Sequence, residues 1–330
     1  MRWYIDEILP QYDIAFDSAE PYRDGFMLIQ GPKKYILKHV DLDENRIQAI
    51  SECKEYMYDR GFHGEERYLP TKEGTLLCEV DDNHFVLTEA LRGRDCDFDN
   101  VEDVKIAAKA LAEFHSASKG FVAKDPASFR IDLYKLPETY KKRLAGLAKM
   151  KKQAEKGRDL FDKKYLENVN FYLKQGEHAL KVLEDSKYLE MCQQAEKEGQ
   201  VSHNDFTHYN VRISDNGTGI IMNMENMGMD IVQYDLANFI RRKMRKCDWN
   251  IEDCQGLLDE YAKVCPLTPE DLKVVAAIIE FPQKFWRTAN SYYNSKRGCV
   301  EKGHVQRLEE ALSEQDLHSK FVDSFYKRYA

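Results

Sequence analysis

The chain is 330 residues long, which allows two domains or one large bilobal unit, and its 43% hydrophobic and 32% charged residues describe a soluble globular protein rather than a disordered one. A formal net charge of −8 argues against nucleic acid or an anionic membrane surface as a partner, because both favour a basic protein face. The start, Met1-Arg2-Trp3-Tyr4-Ile5-Asp6-Glu7, lacks the apolar stretch of a signal peptide, and no apolar run is long enough to span a bilayer, so no membrane insertion is expected and the chain reads as cytosolic.

Residues 1 to about 88 are predicted to form a small mixed domain of about five strands and one helix. Gly25 to Gln30 and Lys34 to Lys38 are short apolar runs split by Gly31-Pro32, the pattern of a hairpin. A helix follows from an N-cap at Asp43 to Gly61, with Ile47, Ile50, Cys53 and Met57 as its apolar spacing. Two further strands, Gly74 to Val80 and His84 to Thr88, flank the turn Asp81-Asp82-Asn83.

After Glu89 the pattern turns helical. Val104, Ala107, Ala108, Leu111, Phe114 and His115 recur at helical spacing behind the cap-like start Asp99-Asn100-Val101-Glu102. A helical insertion fills about 120–200, and within it Lys135 to Lys164 carries 11 Lys or Arg against 4 Asp or Glu, which reads as a solvated helix face. Gly219-Ile220-Ile221-Met222 is strand-like, and from Ile231 onward the chain is helical with breaks near Pro266 and Pro269. Phe281, Phe285, Thr288, Ala289 and Tyr292 share a helical face and read as core. The eight cysteines, at 53, 78, 96, 192, 247, 254, 265 and 299, contain no C-x-x-C pair and read as reduced, mostly buried thiols rather than a disulfide or zinc framework.

The chemistry concentrates in His203-Asn204-Asp205-Phe206-Thr207-His208-Tyr209-Asn210, which has the H-x-D-x-x-x-x-N spacing of a kinase catalytic loop. Phosphoryl transfer from ATP needs a group that orients or deprotonates the acceptor hydroxyl, ligands for a phosphate-bound Mg²⁺, and a cation on the phosphates with an acid to hold it. Asp205 suits the first role and Asn210 the metal. Lys38, at the end of the strand Tyr35-Ile36-Leu37, suits the phosphates, with Glu52 as its expected partner and Glu55 as the second choice. Thirteen residues after Asn210, where a second metal ligand belongs, stands Asn223, a neutral amide in place of the expected Asp. Glu225 would share a face with Asn223 in an extended segment and could supply the missing charge. Asp235 matches a downstream acid that tethers the loop, and Ser18 to Gly25 holds no G-x-G-x-x-G phosphate-covering loop.

Together these residues resemble the aminoglycoside phosphotransferase and choline kinase branch of the protein-kinase-like fold, and within it the CotS family of bacterial spore coat proteins. The resemblance runs through Tyr35-Ile36-Leu37-Lys38, Leu111 to Ser116, His203 to Asn210, Asp235-Leu236-Ala237 and most specifically Phe281 to Tyr293. It implies an α+β bilobal fold with a small β-rich N-terminal lobe (1–88) and a large helical C-terminal lobe (89–330), and nucleotide in the cleft. It also implies residence in the mother-cell cytoplasm and spore coat, with other coat proteins as partners. Two functions stay open: a coat-associated, nucleotide-binding protein with weak or absent phosphotransfer, and an active ATP-dependent kinase of small hydroxyl acceptors.

Overall fold

The structure, a computed structural model, describes residues 4–23, 25–294 and 301–330. Met1 to Trp3, Asp24 in the Ser18 to Gly25 segment, and Cys299 lie outside the described residues. Two compact units interleave along the sequence. The first comprises Met1–Ile131, Lys197–Met229 and Glu260–Cys265, and the second Asp132–Glu196, Asp230–Asp259 and Pro266–Ala330.

The first unit opens with the short helix α1 (Ile5–Ile8) and the strands β1 (Ser18–Tyr22), β2 (Gly25–Gln30) and β3 (Lys33–Val40). After helix α2 (Glu44–Asp59) come β4 (Tyr68–Leu69), β5 (Cys78–Val80) and β6 (Asn83–Glu89). They form one antiparallel sheet in the order β1-β2-β3-β6-β4, with β5 also paired to β6. Strand alternation sorts its faces. Tyr35 and Leu37 join Phe26, Leu28, Phe85, Leu87, Ile5 and Ile8 in a buried core, while Ile36 and Lys38, one step out of phase, face the opposite side. A one-residue slip of β3 would bury Lys38 and expose Leu37, each fully buried leucine being worth about 1.5–3 kcal/mol, so the register is strongly held. Gly25 is required by close approach, since a Cβ there would lie 2.1 Å from the Leu37 carbonyl oxygen.

The expected helix is present: the Asp43 side chain accepts the Arg46 N–H at 2.8 Å, and Gly61 follows the helix at φ +86°. The β5–β6 turn falls at Asp81 and Asp82, both left-handed. Strand β5 is shorter than the predicted Gly74 to Val80 run because residues 71–75 close a turn through Thr71 N–H to Thr75 O and Gly74 N–H to Thr71 O. The Ser18 to Gly25 stretch, which holds no G-x-G-x-x-G, contains a strand of its own, β1.

The rest of the first unit holds β7 (Arg94–Asp95), α3 (Val101–Ser118), β8 (Val201–Ser202), β9 (Val211–Ile213), β10 (Gly219–Ile221) and β11 (Gly228–Met229). Helix α3 is capped by Asn100, whose side chain accepts the Glu102 N–H at 3.0 Å. The short strands make two small sheets, β10-β9-β7 and β11-β8, which carry the loop 203–210 between them in sequence.

The second unit is helical: α4 (Leu136–Ala154), α5 (Leu160–Glu184), α6 (Tyr188–Lys197), α7 (Val232–Met244), α8 (Ile251–Ala262), α9 (Pro269–Glu280), α10 (Gln283–Asn294), α11 (Glu301–Ser313) and α12 (Gln315–Tyr329), with the final residues of α6 and α8 assigned to the first unit. Helix α9 starts on a reciprocal cap between Thr268 and Asp271 with Pro269 at its first position. One face of the Phe281 to Tyr293 segment is packed, with Arg287 and Ser291 exposed on the other: Phe281 stacks on Tyr140 at 3.7 Å between ring centroids, Phe285 on Tyr172 at 3.9 Å and Tyr292 on Phe161 at 3.8 Å. No described helix is long and apolar enough to cross a membrane.

Candidate functional site

Every residue of the site described below belongs to the first unit. Strand β3 aims Lys38 away from the core, and its ammonium donates to both oxygens of Glu66, at 2.6 and 2.7 Å, and to the Asn223 amide oxygen at 2.7 Å. All three N–H bonds are thereby used. Glu66 also accepts the Asn223 backbone N–H at 2.7 Å. Burial alone would raise the Glu66 carboxyl, but the Lys38 and Lys54 charges and these hydrogen bonds hold it below its usual range.

Glu66 thus takes the place expected for Glu52. The Glu52 side chain sits off the apolar stripe of α2 and meets Lys124, accepting its backbone N–H at 3.1 Å and pairing with its ammonium at 3.4 Å. Glu55 pairs with Arg67. Glu66 comes instead from the loop after α2, docked where Ile221 N–H donates to Gly64 O at 2.7 Å and Glu65 bridges to Ile221.

The inward face of α2 carries a lysine. Lys54 continues the series Ile47, Ile50, Met57, is 1% exposed, and places its ammonium 3.7 Å above the Tyr68 ring. It makes no hydrogen bond to a described residue, and burial pulls its pKa down against the nearby Glu66 and Glu225 charges. Neighbouring Glu65 is also buried without a hydrogen bond on either carboxyl oxygen, and desolvation pushes it up to about 7. Spacing alone could have placed Lys54 on the inward stripe. No periodic signal marks Glu66.

The loop 203–210 is held from inside. His203 is fully buried, its Nδ1 accepts the Asp205 N–H at 3.2 Å, and its Nε2 therefore carries the proton donated to Met222 O at 3.0 Å. The Asn210 amide nitrogen donates to Asp205 O at 2.8 Å and lies 3.4 Å from Asp205 Oδ2. Asn223 stands just past β10 in a left-handed conformation, φ 57° and ψ 54°, which Asn tolerates better than most side chains. Its amide nitrogen donates to Asn210 Oδ1 at 2.7 Å. The stretch after Asn223 is a helical turn, Met224–Asn226, not the expected extended segment, yet Glu225 still reaches the cluster, 3.7 Å from Lys38 and 3.4 Å from the Tyr68 hydroxyl. Lys38, Asn223, Asn210 and Asp205 form one hydrogen-bonded chain. Asp235, in the first turn of α7, belongs to the second unit and is fully buried.

Beside Lys38 opens a cavity of about 440 Å³, floored by Met27, Ile36 and Met222 and edged by the Glu89 to Gly93 segment. Ala90 N–H donates to Lys34 O at 2.8 Å, so pairing with β3 alternates and the Glu89 peptide groups turn away from β3. Arg23, on the β1–β2 turn, donates to Tyr209 O at 2.8 Å and to Asp95 at 3.1 Å, tying that hairpin to the loop 203–210.

Mg²⁺ takes oxygen ligands in octahedral geometry and favours carboxylates. The amide oxygens of Asn210 and Asn223 are each engaged by a donor, and no cluster of three or more His, Cys, Asp or Glu able to hold an ion occurs among the described residues. As arranged, the residues do not fit the ion.

A family model described as Spore coat putative kinase YutH matches residues 5–325, and the chain belongs to that family. Spore coat protein S of Bacillus subtilis strain 168 is 24% identical, covering 98% of this chain and 94% of its own. Among solved structures, an aminoglycoside phosphotransferase from Alicyclobacillus acidocaldarius superposes with a TM-score of 0.87 at 18% identity, covering 98% of this chain and 96% of that one. A spectinomycin phosphotransferase in complex with ADP and spectinomycin gives 0.71 at 12% identity, covering 97% and 98%. The fold is therefore the α+β, protein-kinase-like fold of aminoglycoside phosphotransferases.

Proposed function

We propose that this family member is a spore coat protein whose kinase-like fold binds a nucleotide and transfers phosphate weakly or not at all. The name of its relative, spore coat protein S, supports residence in the coat, with other coat proteins as partners. The ADP named with the spectinomycin phosphotransferase supports a nucleotide in the corresponding cavity. In this reading residues 1–88 supply the nucleotide-side lobe, and 89–330 supply the loop 203–210 together with the helical remainder. The apolar floor of Met27, Ile36 and Met222 takes the base, and Glu89 to Leu91 offers it main-chain polar groups.

The single observation that carries weak transfer is the Asn223 amide. It removes one charge from the metal position and locks the side chains around it into hydrogen bonds with one another. A second reading, an active small-molecule kinase, draws on the retained Asp205, positioned with its carbonyl held by Asn210.

Two measurements separate them. ADP at a hundredfold excess over Kd should stabilise the fold by about 2.7 kcal/mol. ATP consumption over a panel of amino-sugar and amino-alcohol acceptors should stay at background. Turnover that exceeds background and disappears in Asp205→Asn establishes the second reading.

A further inference from the structure

The amide orientations in the site are dictated by its two ends. An ammonium can only donate and a carbonyl can only accept, so between Lys38 Nζ and Asp205 O the bonds must all run one way. Asn223 accepts from Lys38 and donates to Asn210, and Asn210 accepts from Asn223 and donates to Asp205. Turning either amide to present its oxygen elsewhere sets an NH₂ group against a donor. Asn210 is 6% exposed and Lys38 12%, so water does not readily replace a lost bond. The Asn223 NH₂ group thus joins directly the two side chains whose spacing suggests metal ligands.

The cavity supplies positive charge by another route. Its lining holds Arg23, Lys33, Lys34, Lys38, Arg92 and Arg212 against Glu66, Glu89 and Asp215, and though Asp95 pairs with Arg23 and Arg212 and Glu225 lies near Lys38, the balance stays positive on a chain whose net charge is −8. Lys33, Lys34 and Arg92 have no ion-pair partner among the described residues. Fixed cations around a concave pocket attract a diphosphate, which carries about three negative charges, without help from an ion.

We propose that this site binds its nucleoside di- or triphosphate without a divalent cation, the Asn223–Asn210 amide bridge standing where the ion would be and the basic lining neutralising the phosphates. The inference rests on the nucleotide-binding reading above. Isothermal titration of the whole protein with ADP, in EDTA and again in excess Mg²⁺, tests both together. The Kd in EDTA should lie within about threefold of the Kd in Mg²⁺ or be tighter, because the ion screens the charge that the lining recognises. Asn223→Asp should weaken ADP binding in EDTA by about tenfold or more, since a carboxylate repels phosphate and Asn210 Oδ1 loses its donor. The same variant should regain affinity in Mg²⁺. ADP binding by the parent that needs Mg²⁺ overturns the inference and leaves the nucleotide reading standing. Absence of binding in both conditions overturns the two at once. A thermal melt of the variant without ligand, matching the parent within a few degrees, ties any change in Kd to the site rather than to unfolding.

Discussion

The exchange of Glu66 for Glu52 as the partner of Lys38 has a measurable consequence for stability. Glu66 is 4% exposed at its side chain and accepts three hydrogen bonds, two from Lys38 and one from the Asn223 N–H. Glu66→Gln keeps the shape but leaves a nearly buried ammonium facing one amide oxygen and one NH₂ group. Removing one partner of a buried pair costs about 3–5 kcal/mol, and Glu225, 3.7 Å from the same ammonium, offsets part of this, so the expected loss is about 3 kcal/mol. At about 2–4 °C per kcal/mol the Tm should fall by roughly 6–12 °C. Glu52 faces Lys124, whose side chain is 84% exposed, and such surface pairs contribute about 0–1 kcal/mol, so Glu52→Gln should shift Tm by no more than about 4 °C. Because Lys38 and Lys54 overcome burial and hold the folded Glu66 pKa below its unfolded 4.5, its stabilisation is present above pH 4.5 and is lost as pH falls through the folded value. Urea titrations of parent and both variants between pH 3 and 8 measure all of this. Equal losses for the two glutamates, or a Glu66→Gln deficit that stays constant down to pH 3, would refute the assignment.

Glu65 has the opposite sign. Its folded pKa is raised from 4.5 to about 7, so the folded state keeps a proton the unfolded chain has released, and the associated stability is lost as pH rises through about 7. Glu65→Gln should match the parent near pH 4.5 and exceed it by roughly 2–3 kcal/mol above pH 7.5, read from urea midpoints, and a difference that does not grow with pH would be the failing result. Gly93, at φ +128°, leaves no room for a side chain, because a Cβ would lie 2.3 Å from Ile213 O. Gly93→Ala should cost about 1–3 kcal/mol and weaken ADP binding by shifting the Glu89 to Gly93 edge of the cavity. An unchanged melt and an unchanged Kd would show that the edge adapts freely.

Local rules carried much of the structure into view from sequence. Asp43, Gly61 and the two left-handed aspartates at 81 and 82 act on residues within a few positions of themselves, and the helix and hairpin they bound are found in place. The spacing from His203 to Asn210 likewise encodes a short loop whose own backbone closes it. Glu66 escaped because its position depends on pairing across more than 150 residues, from Gly64 to Ile221, and no periodicity records that. Helical register alone favours Glu52, although its side chain leaves the α2 stripe. Lys54 was legible at positions 47, 50, 54 and 57, where a lysine in an apolar series is the informative exception. The turn at Asn223 was not, since alternation presumes an extended chain and the left-handed residue ends it.

The interleaving of the two units bears on the order in which the protein can be made. Tyr261, fully buried, hydrogen-bonds to His115 at 2.7 Å inside the first unit, from a short segment, Glu260–Cys265, that emerges late in synthesis. At about 5–20 residues per second, roughly 7–27 s separate translation of Ile131 from that of Cys265. Through that interval α3 is already made, while the Tyr261 hydroxyl that His115 meets is not. Vectorial synthesis therefore completes the first unit only when Cys265 emerges, after Asp132–Glu196 and Asp230–Asp259 of the second have been made and before Pro266–Ala330 follow, so unfinished segments of both units are exposed together in a window when a holdase bound early would have its greatest effect on yield.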